Sequence, residues 1–308
     1  MPLAPEIKAF LEASAAAGLP QVWEAPVDVI RRNTQLRPAL AGPVEPVREV
    51  INRFIPGPTA DLPIRIYRPT SNTSAPAIVY FHGGGWVLNF LDIYDASLSR
   101  LANQSGATII SVNYQKAPEH PFPTPFDDCF ATLEWVIANA PSLNIDPTRL
   151  GVAGDSAGAN LASGVAIKAR DMNVDLAFQL LIYPCNGRDF ESDSYIKNAT
   201  GYGLSTQAMK WFWDQYLQNE IHHLNPYAVP MAAKTFEGLA PAIIITAQYD
   251  PLLSDGEKYA EFLQRDGVQV FYKEYEGMIH GFFTNMAVTP AASEAIDLVA
   301  VEINKLTQ

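Results

Sequence analysis

Ser156 stands in the run Gly154-Asp155-Ser156-Ala157-Gly158, directly after the apolar segment Leu150-Gly151-Val152-Ala153. A buried strand leading into G-x-S-x-G has the pattern of a nucleophile elbow, a strand-to-helix turn that lifts a serine hydroxyl clear of the sheet. That hydroxyl is a weak nucleophile unless the backbone presents it and a base stands beside it. So tight a turn would bring side chains two residues either side of the serine into collision, which calls for glycine at 154 and 158. The stretch from Ala157 to Ala166 is small and helix-compatible, suited to close packing on a sheet. Taken alone, the pattern also fits a glycine-rich turn with no chemistry.

Three further segments carry what acyl transfer requires. The first is His82-Gly83-Gly84-Gly85-Trp86, after the apolar run Ala77-Ile78-Val79-Tyr80-Phe81. Backbone N–H groups in such a loop can receive the charge that builds on a carbonyl oxygen, and glycines let the backbone approach it. A phosphate loop would need G-x-x-x-x-G-K-[ST], and no Lys-Ser or Lys-Thr follows here. The second segment, Ala242 to Leu252, is an apolar run ending in Asp250-Pro251. An acid there is commonly a turn former. However, Asp255 is expected to cap a helix beginning at Gly256-Glu257, which leaves Asp250 free for another task. The third is Gly277-Met278-Ile279-His280-Gly281-Phe282, after a strand-like stretch from Val268 to Tyr275. Of the five histidines, only His280 follows both Ser156 and Asp250 in a loop after a late strand, and Ser…Asp…His is the triad order of an α/β-hydrolase.

On these residues the chain resembles the hormone-sensitive-lipase-like (bacterial family IV) esterases of the α/β-hydrolase superfamily. HGGGW at 82–86, GDSAG at 154–158, DPLLSDG at 250–256 and HGF at 280–282 carry the resemblance, together with YQKAPEHPFP at 114–123. It spans roughly residues 45–308. There are two departures: Gln115-Lys116, where the family often has Arg-Leu, and Ala159, where it often has a second glycine. The resemblance implies a serine carboxylesterase in which Ser156 attacks, His280 moves the proton and Asp250 orients the imidazole. It places the oxyanion on the N–H groups of Gly84, Gly85 and Ala157, with His82 positioning the glycine loop and no cofactor or metal. It also implies cis peptides at Ala117-Pro118 or Phe122-Pro123, and a preference for short to medium acyl chains. An amidase or formamidase with the same triad remains the alternative, to be separated by matched ester and amide substrates. A small-molecule receptor on this scaffold typically lacks the histidine present here.

These residues need a frame. Strands are expected at 47–55, 62–68, 77–82, 107–113, 149–154, 177–183, 242–248 and 269–275. Helices are expected at 92–105, 124–140, 157–170, 255–267 and 290–306. Early hairpin strands followed by strand–helix alternation predict a mostly parallel eight-stranded sheet with helices on both faces, an α/β-hydrolase fold. Residues 1–45 read as two helical pieces broken by prolines. The alternation lapses between Tyr183 and Leu239, where an aromatic helix is expected from Thr206 to Asn219. The expected division is therefore a helical cap from 1–45 and 187–238 over a catalytic domain of 46–186 and 239–308. Trp86, Phe90, Trp211, Phe212, Ile279 and Phe282 are the candidate substrate contacts. Asp155 is grouped with them and expected to steady the elbow.

Composition sets the outer limits. The chain has 308 residues, 48% hydrophobic and 18% charged, with a formal charge of −12. Such acidity disfavours nucleic acid and anionic membrane surfaces. Cys129 and Cys185 read as separate buried thiols rather than a disulfide. Adjacent His222 and His223 cannot share one helix face as metal ligands, and no H-E-x-x-H occurs. Pro2 to Glu6 lacks the positive region of a signal peptide, and no apolar run is long enough to span a bilayer, so the cytoplasm is the expected location. The expected partner is a small ester, and the resemblance implies pairing of two copies through the 269–275 sheet edge.

Overall fold

The central predicted strands, such as 77–82, 107–113 and 242–248, are largely apolar, a pattern that suits strands covered on both faces. The computed structural model describes residues 1–70 and 75–308. In it, all eight segments are strands: β1 Glu49–Pro56, β2 Asp61–Arg68, β3 Ala75–Phe81, β4 Thr108–Val112, β5 Ile145–Asp155, β6 Phe178–Ile182, β7 Ala242–Tyr249 and β8 Val270–Ile279. They form one sheet in the order β1-β2-β4-β3-β5-β6-β7-β8. β2 runs antiparallel to β1 and β4, and every other pairing is parallel.

Alternation along the strands divides the core. In β3, Ala77, Val79 and Phe81 face one apolar layer, and Ile78 and Tyr80 the other. The first layer is closed by the helices Thr124–Ala138, Ala157–Asp171 and Leu253–Arg265. The second is closed by Asp95–Ser105 and Pro290–Leu306.

Two strands outrun their sequence signals. β5 begins at Ile145, where it pairs with Ala75 ahead of a register shift. β8 continues through the polar Glu276 and through Gly277 to Ile279. Gly277 takes φ +73°, and its N–H donates to Gln248 Oε1 at 2.8 Å. The helix expected from Gly256 opens instead at Leu253. Asp255 therefore does not cap it; its buried carboxylate accepts the Gly187 N–H at 3.1 Å. The aromatic helix is Thr206–Tyr216 and stops short of Asn219, whose side chain instead caps the following turn through the Ile221 N–H.

The N-terminal stretch holds three short helices, not two: Pro5–Ala16, Val27–Asn33 and Pro38–Ala41, with a 3-10 turn at Thr34–Leu36. Arg31 ties this region to the loops beyond the sheet. It donates to the carbonyls of Val87 and Ala117, each at 2.9 Å, and forms a two-pronged ion pair with Glu119. The peptides Ala117-Pro118 and Phe122-Pro123 are both cis, and both cysteines are free and buried. Among the described residues no helix is long and apolar enough to cross a membrane.

Candidate active site

Four strands deliver four residues to one edge of the sheet. His82, Ser156, Asp250 and His280 are each the first residue past the carboxyl end of β3, β5, β7 and β8. The ladder keeps those ends level, pairing Phe81 with Gly154, Asp155 with Ile182, Ile182 with Ile245 and Tyr249 with Ile279. Open α/β sheets place ligands at this edge.

Ser156, Asp250 and His280 meet there. His280 Nδ1 lies 2.7 Å from Asp250 Oδ2, and its Nε2 lies 2.9 Å from Ser156 Oγ. The other oxygen of the fully buried Asp250 accepts the Leu252 N–H at 2.9 Å. Ser156 sits at φ +57° and ψ −121°, far from the usual wells of a side-chain-bearing residue. Its N–H donates to Ile182 at 2.8 Å, fixing the turn to β6. The flanking glycines are needed for space. A Cβ on Gly154 would stand 2.6 Å from the Phe81 carbonyl oxygen, and one on Gly158 2.6 Å from the Phe81 carbonyl carbon.

The glycine loop is fastened to the elbow through Asp155. Its buried carboxylate accepts the Tyr80 hydroxyl at 2.9 Å, the Gly83 N–H at 2.9 Å and the Tyr94 hydroxyl at 3.2 Å. Burial raises the pKa of this acid, and the three donors oppose that rise. Asn89 donates to the Gly83 carbonyl at 3.2 Å and closes the loop on itself. Gly84 and Gly85 take φ of +111° and +60°. Among the described residues no hydrogen-bond partner is recorded for the N–H of Gly84, Gly85 or Ala157. His82 is sealed, stacked on Tyr114 with centroids 4.4 Å apart, and its Nδ1 faces the Gly83 carbonyl at 2.8 Å. Burial drops its pKa to about 3, so the ring is neutral and serves the loop.

Residues 78–284 match the α/β-hydrolase fold family. The chain belongs to that family. Among curated α/β-hydrolase relatives, the carboxylesterase NlhH of Mycobacterium tuberculosis is 40% identical over 240 residues, 76% of this chain and 75% of its own. The arylesterase of Saccharolobus solfataricus is 35% identical over 283 residues, 92% of each chain. Among solved structures, a hyperthermophilic esterase from the archaeon Pyrobaculum calidifontis superposes with a TM-score of 0.94 at 36% identity, covering 99% of both chains. The resemblance to the hormone-sensitive-lipase-like esterases agrees with these relatives.

The α/β-hydrolase sheet edge does not treat the expected substrate contacts alike. Trp86 and Phe282 have no exposed surface, and Ile279 almost none. Trp86 is stacked on Tyr216 at 4.3 Å and 2°, and against Trp213 at 4.5 Å. Phe282 packs against Tyr275 at 5.0 Å. All three are packed into the interior, because an aromatic or branched side chain next to a catalytic loop fills the core as readily as it lines a pocket. Asp155, likewise grouped as a contact, is occupied by its three donors. Phe212 is placed differently: a Cβ on Gly85 would come within 2.5 Å of its ring, so its ring covers that glycine. Phe90 and Trp211 keep part of their surface open.

Several supporting residues carry no signal in the sequence. Tyr183, at φ +37°, sets its ring 4.6 Å from that of His280. Asn198 donates to the carbonyls of Gln248 at 3.2 Å and Asp250 at 3.1 Å, and Ser194 donates to the Pro251 carbonyl at 2.6 Å. Ser194 and Asn198 lie in the 187–238 segment and reach back to the acid-bearing turn. An isolated polar residue in a long irregular insertion carries no spacing signal that could have singled them out.

Proposed function

We propose that this α/β-hydrolase is a serine carboxylesterase acting on short- to medium-chain acyl esters. The observation that carries the reading is the position of His280, within hydrogen-bond reach of Ser156 on one ring nitrogen and of Asp250 on the other. Relatives named as esterases support ester substrates over amides.

In this reading His280 Nδ1–H donates to Asp250, which leaves Nε2 as the acceptor for the Ser156 proton. Ser156 Oγ attacks the ester carbonyl carbon as its proton passes to Nε2. The carbonyl oxygen becomes an oxyanion held by the N–H groups of Gly84, Gly85 and Ala157, an arrangement of the kind that contributes a few kcal/mol to transition-state binding. Collapse breaks the carbon–oxygen bond to the alcohol, which leaves with the proton from His280. Water, deprotonated by His280, then attacks the acyl-enzyme and releases the acid and Ser156. Residues 1–45 and 187–238 form the cap, and Phe212, Phe90 and Trp211 bound the substrate space beneath it.

Initial rates on p-nitrophenyl esters from acetate to palmitate, with Ser156→Ala as control, test this reading. Rates that peak at short or middle chains and vanish in the variant are expected. Retention of more than about a tenth of the activity would sink the triad, since loss of such a nucleophile costs many orders of magnitude.

A further inference from the structure

A cavity of about 550 Å³ opens between the Val27–Leu36 region and the loop after β4, and neither Ser156 nor His280 lines it. Its volume is that of a small-molecule site. Four residues with cationic or titratable nitrogen side chains line it: Arg31, Arg32, Lys116 and His120. Two are already neutralised, Arg31 by Glu119 at 2.8 Å and Arg32 by Asp28 at 2.8 Å. Lys116 is not. Among the described residues no carboxylate lies within 4.0 Å of its ammonium. Its partners are the neutral Asn113 Oδ1 at 2.6 Å and the Tyr114 carbonyl at 3.2 Å, with the Tyr114 ring 5.4 Å away.

We propose that this cavity binds a small organic monocarboxylate whose charge is received by Lys116. One unmatched cation calls for one negative charge. A phosphate dianion would ask for a second, and the arginines that could supply it are committed to Glu119 and Asp28. Pro63 offers an apolar surface for the body of the ligand, and so does Phe90, which this cavity shares with the proposed substrate space. The protonation of the lysine is consistent with a waiting site: burial, then the nearby Arg31, lowers its pKa to about 7. Asp128 and Glu119 oppose that drop without touching the ammonium, and Cys129 behind it is kept a neutral thiol by burial. An arriving carboxylate stabilises the charged form, so binding draws a proton from solvent near neutral pH.

The test is isothermal titration of butyrate into the full-length protein at pH 6, 7.5 and 9, in two buffers of different ionisation enthalpy. Lys116→Leu, Lys116→Gln and His120→Gln are titrated alongside. Lys116→Leu introduces the residue that the resembled esterases often carry here, and Lys116→Gln covers the case in which it misfolds. The expected result is saturable binding with proton uptake at pH 7.5 and weaker binding at pH 9. Both Lys116 variants should lose roughly tenfold or more in affinity, the value of one charge-assisted hydrogen bond. His120→Gln should bind as the wild type does, and esterase rates of the Lys116 variants should stay within a few-fold. Absence of binding to the wild type, wild-type affinity in either folded Lys116 variant, or tighter binding of inorganic phosphate than of butyrate would each overturn the proposal.

Discussion

Asp250 has a specific task at the residue scale. One carboxylate oxygen faces His280 Nδ1 at 2.7 Å while the other is pinned by the Leu252 N–H. An asparagine would preserve the shape and still accept from Leu252, but its amide nitrogen could turn towards Nδ1 and favour the wrong imidazole tautomer. Asp250→Asn is therefore expected to lower kcat on p-nitrophenyl butyrate by on the order of 10⁴-fold. Its circular dichroism should be unchanged. A kcat within tenfold of wild type would remove Asp250 from the proposed triad. These residues were legible because their chemistry is tied to local backbone demands: glycines around Ser156, and an acid and a histidine each just past an apolar run. The direction of Trp86 was not legible, because a side chain next to a reactive loop gives no sign of which way it points. Here it points away, into Tyr216 and Trp213.

At the scale of elements, that stack joins two pieces of chain with no sequence signal in common. Trp86 ends the glycine loop and Tyr216 ends the helix Thr206–Tyr216. Tyr216 also accepts the Phe122 N–H through its carbonyl at 2.9 Å. Loss of the aromatic face in Tyr216→Leu is expected to lower the free energy of unfolding by roughly 1–3 kcal/mol. It should also lower kcat several-fold, because the glycine loop loses its backing. Urea unfolding and kcat measured together check this, with Leu217→Ala as a nearby core control outside the ring stack. Equal kcat values in Tyr216→Leu and the control would break the link between stack and loop. The central strands were readable from their apolar runs, but strand extents were not where pairing overrode composition. β8 carries Glu276 and Gly277 as far as Ile279 because β7 offers Tyr249 as a partner there.

For the whole molecule, stability against pH gathers several buried groups. Burial pushes the Asp255 carboxyl up to about 7, against about 4 for a free aspartate. The folded protein therefore holds that proton more tightly than the unfolded chain. The stability this confers is complete below about pH 4 and is lost as pH rises to 7. His82, depressed to about 3, acts in the opposite sense, costing stability as pH falls from about 6.5. The Asp255 contribution is thus read by difference. Asp255→Asn, which can still accept from Gly187, should match or fall below wild type at pH 4 and exceed it at pH 8 in urea midpoint. A constant difference across that range would show that Asp255 does not titrate as its burial implies. The position of the reactive residues has a further consequence, for inheritance. Each is the first residue past its strand, and hydrogen-bonded registers hold those strand ends level. Inserting one residue within β3, β5, β7 or β8 would reverse the facing of every later side chain in that strand. Extra residues in loops at the opposite edge would leave the reactive atoms where they are. Descendants of this chain are therefore free to vary in length on one side of the sheet and constrained on the other.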